Sequence, residues 1–146
     1  MTIQTASEGI SFARELETKS ADFYEQLAGK FPAQAETFRS YAAANKKHVT
    51  NIERAYYGVI TDAIEGCYAF KLEPEQYPLD CELGEVPELS SVLAKALQNE
   101  ETIVRFYKEA AEQSKGTMAD VPRAFLLVAR KHEERIEELK SLAARQ

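Results

Sequence analysis

The chain is expected to fold as an all-α four-helix bundle, two antiparallel helical hairpins joined by a long crossover. Three observations predict it. A phrase occurs twice: residues 13–28 and 96–111 superpose at a spacing of 83 positions, matching Ala13 with Ala96, Glu17 with Glu100, Phe23 with Phe106, Tyr24 with Tyr107 and Ala28 with Ala111. Four stretches repeat apolar residues at the three-, four- and seven-residue spacings that share one helix face. The first two stretches are separated by a single Phe31-Pro32 break, the second and third by residues 59–86, so the first connection makes a hairpin and the second a crossover.

Thr5-Ala-Ser-Glu8 has the form of a capping box and opens the first helix, residues 7–30. Its stripe runs Ile10, Ala13, Leu16, Glu17, Ala21, Tyr24, Leu27, Ala28. The residue before proline disfavours the helical region, which ends the helix at Phe31-Pro32. The second stripe reads Phe38, Tyr41, Ala42, Asn45, His48, Val49, Ile52, Ala55, Tyr56, with Gly58 as its stop. Residues 59–86 change in texture, with Pro74, Pro78, Gly66 and Gly84 among the aromatics Tyr68, Phe70 and Tyr77. We read one or two short helical turns there in an otherwise irregular crossover anchored by those aromatics, which disordered linkers lack. Pro87-Glu88-Leu89 opens the third helix, which carries the second copy of the phrase and ends at Lys115-Gly116. Asp120, two residues before Pro122, is the candidate cap of the fourth. That helix turns Phe125, Val128, Ala129, His132, Ile136, Leu139 and Leu142 to one side and Arg130, Lys131, Glu134 and Glu138 to the other.

With 146 residues the chain is long enough for one domain without covalent staples. Cys67 and Cys81 have neither CxxC spacing nor a nearby histidine, so no zinc ribbon or rubredoxin-type iron centre can be built from them. Two free thiols and the absence of an export signal point to a cytoplasmic protein. A net charge of −6 and a pI near 5.1 argue against nucleic acid or an anionic membrane as the main partner. A homodimer formed through a hairpin face is the expected assembly.

Function is read from the polar residues that interrupt the apolar stripes. Glu17 sits in the middle of the first, and Glu100 interrupts the third at the corresponding point. A buried carboxylate normally finds a cation, a metal or a proton. The only histidines, His48 and His132, lie on the second and fourth stripes. Singly, each would read as a satisfied core residue; together, four such side chains on the inward faces of four helices point to a shared polar site.

The Glu-x6-Tyr phrase on the first and third helices precedes a helix reading Phe-x-x-(apolar)-Ala-x-x-(Glu)-x-x-His. This pattern resembles the rubrerythrin-like members of the ferritin superfamily, and the resemblance covers nearly the whole chain. It implies a ferritin-like bundle in which each hairpin supplies one Glu from its first helix and a Glu-x-x-His from its second, six side chains holding two iron ions. It also implies iron-linked redox chemistry, such as peroxide reduction or iron oxidation, and tyrosines near the metal at Tyr24 and Tyr107. Taken alone, each tyrosine reads as a core residue with its hydroxyl on a carbonyl. On the second helix the Glu-x-x-His position is Asn45-Lys-Lys-His48, so the carboxylate has become an amide. The fourth helix aligns in two ways. Matching Phe125 to Phe38 places His132 where the glutamate belongs and Arg135 where the histidine belongs; matching His132 to His48 replaces the glutamate by Ala129. The first keeps Ile136 and Leu139 in step with Val49 and Ile52, and both alignments lose the bridging glutamates.

Charge then limits the site. Two divalent ions against Glu17 and Glu100 alone, with Arg135 present, would leave three surplus positive charges in a core of low dielectric. One divalent ion leaves one, and Glu17, His48, Glu100 and His132 would make a two-histidine, two-carboxylate set suited to iron, zinc or manganese. With no metal, Arg135 between the glutamates leaves one negative charge for a proton or a histidinium to neutralise. The sequence leaves these last two arrangements open.

Overall fold

The computed structural model of the protein describes residues 2–58, 68–118 and 120–146. Among them are four long helices, α1 (Ala6–Lys30), α2 (Ala35–Tyr57), α3 (Leu89–Ser114) and α4 (Val121–Ala144), and two short strands, β1 (Ile3–Thr5) and β2 (Tyr68–Leu72). The fold is an all-α four-helix bundle of two antiparallel hairpins, α1–α2 and α3–α4. Contacts give the direction of every neighbouring pair. Tyr24 meets Glu100 while Glu17 meets Tyr107, so α3 runs antiparallel to α1. Tyr41 meets Glu138 while His48 lies against His132, so α4 runs antiparallel to α2. Helices α2 and α3 are therefore parallel, and the chain between them must travel the length of the bundle. This is the ferritin-type connectivity.

Local chemistry sets the helix ends. Thr5 Oγ1 accepts from the Glu8 amide at 3.1 Å, and Glu8 accepts in return from the Thr5 amide at 2.9 Å, closing the capping box. Phe31 leaves the helical region at φ −126°, ψ 81°, and a 3-10 turn, Pro32–Gln34, leads directly into α2. Past α3, Gly116 takes φ 81°, a conformation open to glycine. Asp120 stands at the N-cap of α4, but its side chain accepts no cap hydrogen bond. There Pro122 in the first turn removes one of the amide donors that a cap would serve.

The crossover contains the expected short helical turn, a 3-10 turn at Pro74–Gln76, and departs from the expected irregular segment by a strand. Residues 68–72 form a strand, paired antiparallel with β1 in the register Ile3 with Leu72 and Thr5 with Tyr68; Gly66 and Cys67 fall outside the described residues. The two-stranded ladder closes one end of the bundle, with Ile3, Phe70 and Leu72 buried against Ile10, Phe106 and Phe125. Gly9 makes room for it: a Cβ there would come within 2.2 Å of the Phe70 ring. From β2 the crossover runs along α3, tied by side chains that stand in for a neighbouring strand. Gln113 bonds both backbone groups of Lys71, and Asn99 bonds both of Asp80. Between them Arg105 donates to the Gln76 carbonyl and Tyr77 packs on Phe106.

Two apolar clusters fill the bundle. One centres on Phe70, Phe106 and Phe125, the other on Phe23, Phe38 and Leu93. The polar residues of interest lie between them. Among the described residues, no helix is long and apolar enough to cross a membrane.

Candidate metal centre

Each hairpin delivers one carboxylate to the bundle axis. Glu17 and Glu100 are fully buried, as are Asn45 and His132, while Arg135 and His48 retain 3% and 5% exposure. The repeat is visible as a reciprocal pair of hydrogen bonds. Tyr107 donates to Glu17 Oε2 at 2.7 Å, and Tyr24 donates to Glu100 Oε2 at 2.9 Å. Each tyrosine thus serves the carboxylate of the other copy, not a carbonyl oxygen as its position on the stripe alone suggested.

The second helices of the hairpins complete the two halves differently. His48 Nδ1 lies 3.0 Å from Glu17 Oε1, whereas Glu100 Oε2 faces Arg135 Nη1 at 3.5 Å. Arg135 therefore occupies the place of His48, as the alignment of Phe125 with Phe38 requires, and His132 occupies the place of Asn45. The Arg135 guanidinium also donates to the Tyr41 carbonyl at 3.1 Å and lies 4.7 Å and 5.2 Å from the ring centroids of Tyr41 and Tyr24. Such ring faces favour a desolvated cation.

His132 belongs to both halves. Its Nε2 is 2.7 Å from Glu17 Oε2 and its Nδ1 is 2.6 Å from Glu100 Oε1. Both partners are acceptors, so both ring nitrogens carry protons and the ring is an imidazolium. Burial alone would push it down, but the two carboxylates outweigh burial and raise its pKa to about 9. Burial likewise opposes ionisation of Glu17 and Glu100, yet His132 holds both below the usual carboxylate range, helped by His48 at Glu17 and by Arg135 at Glu100. His48 is lowered, chiefly by burial, and is neutral. Tyr24 and Tyr107 are raised well above the ordinary phenol by burial and by Glu100 and Glu17, so they stay protonated donors. The two carboxylates, His132 and Arg135 together sum to zero charge.

The same geometry can accept one metal ion. Glu17, His48 and His132 offer one ligand atom each, all within 4.8 Å of one another. Two imidazoles and a carboxylate suit a single iron or zinc ion. Glu100 stands apart from that group, on the far nitrogen of His132, where it would orient the ring and fix its tautomer. Among the described residues no second such group is found, and the Arg135 guanidinium faces Glu100. Asn45 donates to the Glu17 carbonyl at 3.0 Å, while its buried Oδ1 has no hydrogen-bond partner among the described residues. An acceptor left that way costs about 1–3 kcal/mol unless a guest supplies a donor.

All eight residues singled out in the sequence, Glu17, Tyr24, Asn45, His48, Glu100, Tyr107, His132 and Arg135, meet in this layer. Tyr41 and Glu138 were missed. Tyr41 donates to Glu138 at 2.9 Å and extends the network from Arg135 toward the surface; the signal was its place four residues before Asn45 on the same face. Cys81 is a free thiol raised by burial and by Asp80, so it is a poor nucleophile. Met118 is buried in the core beside Val121 and Phe125. Compared with known proteins, the chain matches no family model, no curated protein and no solved structure.

Proposed function

We propose that this chain is a rubrerythrin-like member of the ferritin superfamily that binds one divalent transition ion in its bundle core through Glu17, His48 and His132. The observation that carries the reading is the convergence of those three ligand atoms within 4.8 Å, with Glu100 on the far nitrogen of His132. A buried carboxylate–histidine pair aimed at two further ligands is the arrangement metal-binding histidines use. Bound iron would supply one-electron redox chemistry and bound zinc Lewis acidity. The protein's own part is to keep His48 neutral, to hold His132 by Glu100, and to exclude water with the apolar clusters on either side. Ionic balance supports one ion rather than two, since one ion on a neutral His132 leaves a single surplus positive charge.

Elemental mass spectrometry after loading with Fe(II), Mn(II) or Zn(II) tests this. One ion per chain is expected, lost in both Glu17→Ala and His132→Ala. None in the wild type overturns the reading, and two overturn its mononuclear form. Oxidation of an equimolar Fe(II) load is expected to give no oxo-bridged absorption, which needs an iron pair.

A second reading, a metal-free structural or interaction bundle, is favoured by one observation: His132 and Arg135 already neutralise both glutamates. It predicts the same stability with or without added metal.

A further inference from the structure

The two halves of the site are images of each other in their first helices and opposites in their second. Glu17 pairs with Tyr107 and with a neutral imidazole. Glu100 pairs with Tyr24 and with a guanidinium at the position equivalent to that imidazole. Arg135 is built in from every side. It is 3% exposed, donates to the Tyr41 carbonyl, and lies 5.2 Å and 4.7 Å from the ring centroids of Tyr24 and Tyr41.

We infer that Arg135 is the fixed cation of the Glu100 half, and that it excludes a metal ion from that half. Three residues would otherwise present the elements of a second ligand set: Glu100, His132 through Nδ1 once that nitrogen gives up its proton, and whatever stands at position 135. With arginine there, the third position offers only donors and carries the positive charge a metal would bring. A divalent ion beside it would face like charge in a dry core, where repulsion is weakly screened. The inference deepens the single-ion reading proposed above, by naming the residue that sets the number of ions.

The test counts ions bound by wild type, Arg135→Lys and Arg135→His in a Co(II) titration followed by absorption and by elemental analysis after desalting. Arg135→Lys keeps the charge and is expected to match the wild type. Arg135→His offers the missing imidazole without the charge and is expected to bind one ion more than the wild type. The increment separates the two claims. Wild type at one and Arg135→His at two supports both; none and one supports the role of Arg135 and defeats the wild-type metal site. One and one leaves the wild-type site standing and overturns the inference; none in either overturns both. If Arg135→His loses its helical circular dichroism, Arg135→Gln reads the same claim. Loss of the charge is expected to strengthen Co(II) binding tenfold or more, and an unchanged affinity overturns the inference.

Discussion

Glu17 and Glu100 begin from the same sequence phrase and end in different chemistry. Both are buried, both accept from the tyrosine of the other copy, and both share His132. Beyond that, Glu17 faces a neutral ring that can be a ligand, and Glu100 faces a cation that cannot. The lesson is that a duplicated backbone fixes where charges are placed but not how they are neutralised. That choice lies with single residues on the second helix of each hairpin, His48 and Arg135.

The largest expected effect comes from removing the fixed cation. Arg135→Met leaves Glu100 with Tyr24 and His132 but without its fixed cation, and breaking a buried pair in this way costs about 3–5 kcal/mol. His48→Leu removes one neutral donor from a carboxylate that keeps Tyr107 and His132, and is expected to cost about 1–2 kcal/mol. Urea denaturation of both variants measures the contrast. Equal losses would mean that the two halves are energetically alike after all.

Next is pH. An unfolded histidine titrates near 6.5, and His132 is raised to about 9 by Glu17 and Glu100 against the effect of burial. Its contribution is therefore fully present below about pH 6.5 and is lost as pH rises through about 9, a loss on the order of 3 kcal/mol. The carboxylates act on the other side: being depressed, they lend stability above their ordinary range that disappears on acidification through their folded values. Metal-free protein should thus lose stability between pH 6.5 and 9, and a flat profile there would show that His132 is not the shared cation. Metal affinity should rise over the same interval, with one proton released per ion, because an ion at Nε2 takes the place of that proton.

Much of this was legible in the sequence. The bundle followed from four periodic stripes and their breaks, and the polar layer from charged residues on otherwise apolar faces. The ladder of β1 and β2 was not legible. Strands of three and five residues, paired across more than sixty positions, leave no periodic trace, and their only local sign is Gly9 on an inward helix face, where Phe70 needs the space. Nor could spacing reveal that His132 bridges both carboxylates. Sequence places a residue on a face and at a depth; which neighbour each ring nitrogen meets depends on how four helices rotate against each other.

A smaller effect sharpens the comparison within the repeat. Tyr24→Phe and Tyr107→Phe each remove one hydrogen bond to a buried carboxylate, worth about 1.5–3 kcal/mol. Their effects on stability should be similar, because the bonds are images of each other. Their effects on metal binding should not. Tyr107 orients the proposed ligand Glu17, and loss of such a partner weakens binding roughly 10–100-fold; Tyr24 orients Glu100 and should leave the affinity nearly unchanged. Calorimetric titration of both variants with Zn(II) would expose a symmetric site as equal losses.

The smallest effect on stability belongs to Asn45. Its Nδ2 donates to the Glu17 carbonyl, an oxygen inside α1, while its Oδ1 is buried without a partner among the described residues. Asn45→Leu removes a satisfied donor and an unsatisfied acceptor together, and two such changes nearly cancel, so the metal-free protein should shift by less than about 1 kcal/mol. If the free oxygen serves a guest in the Glu17 half, the same substitution should weaken Zn(II) binding while Arg135 and Glu100 remain undisturbed. A variant as stable as the wild type but weaker for metal would place the chemistry in that half. A variant clearly more stable and equally good for metal would show that Asn45 is only an unpaired remnant, and that the two halves differ by Arg135 and His48 alone.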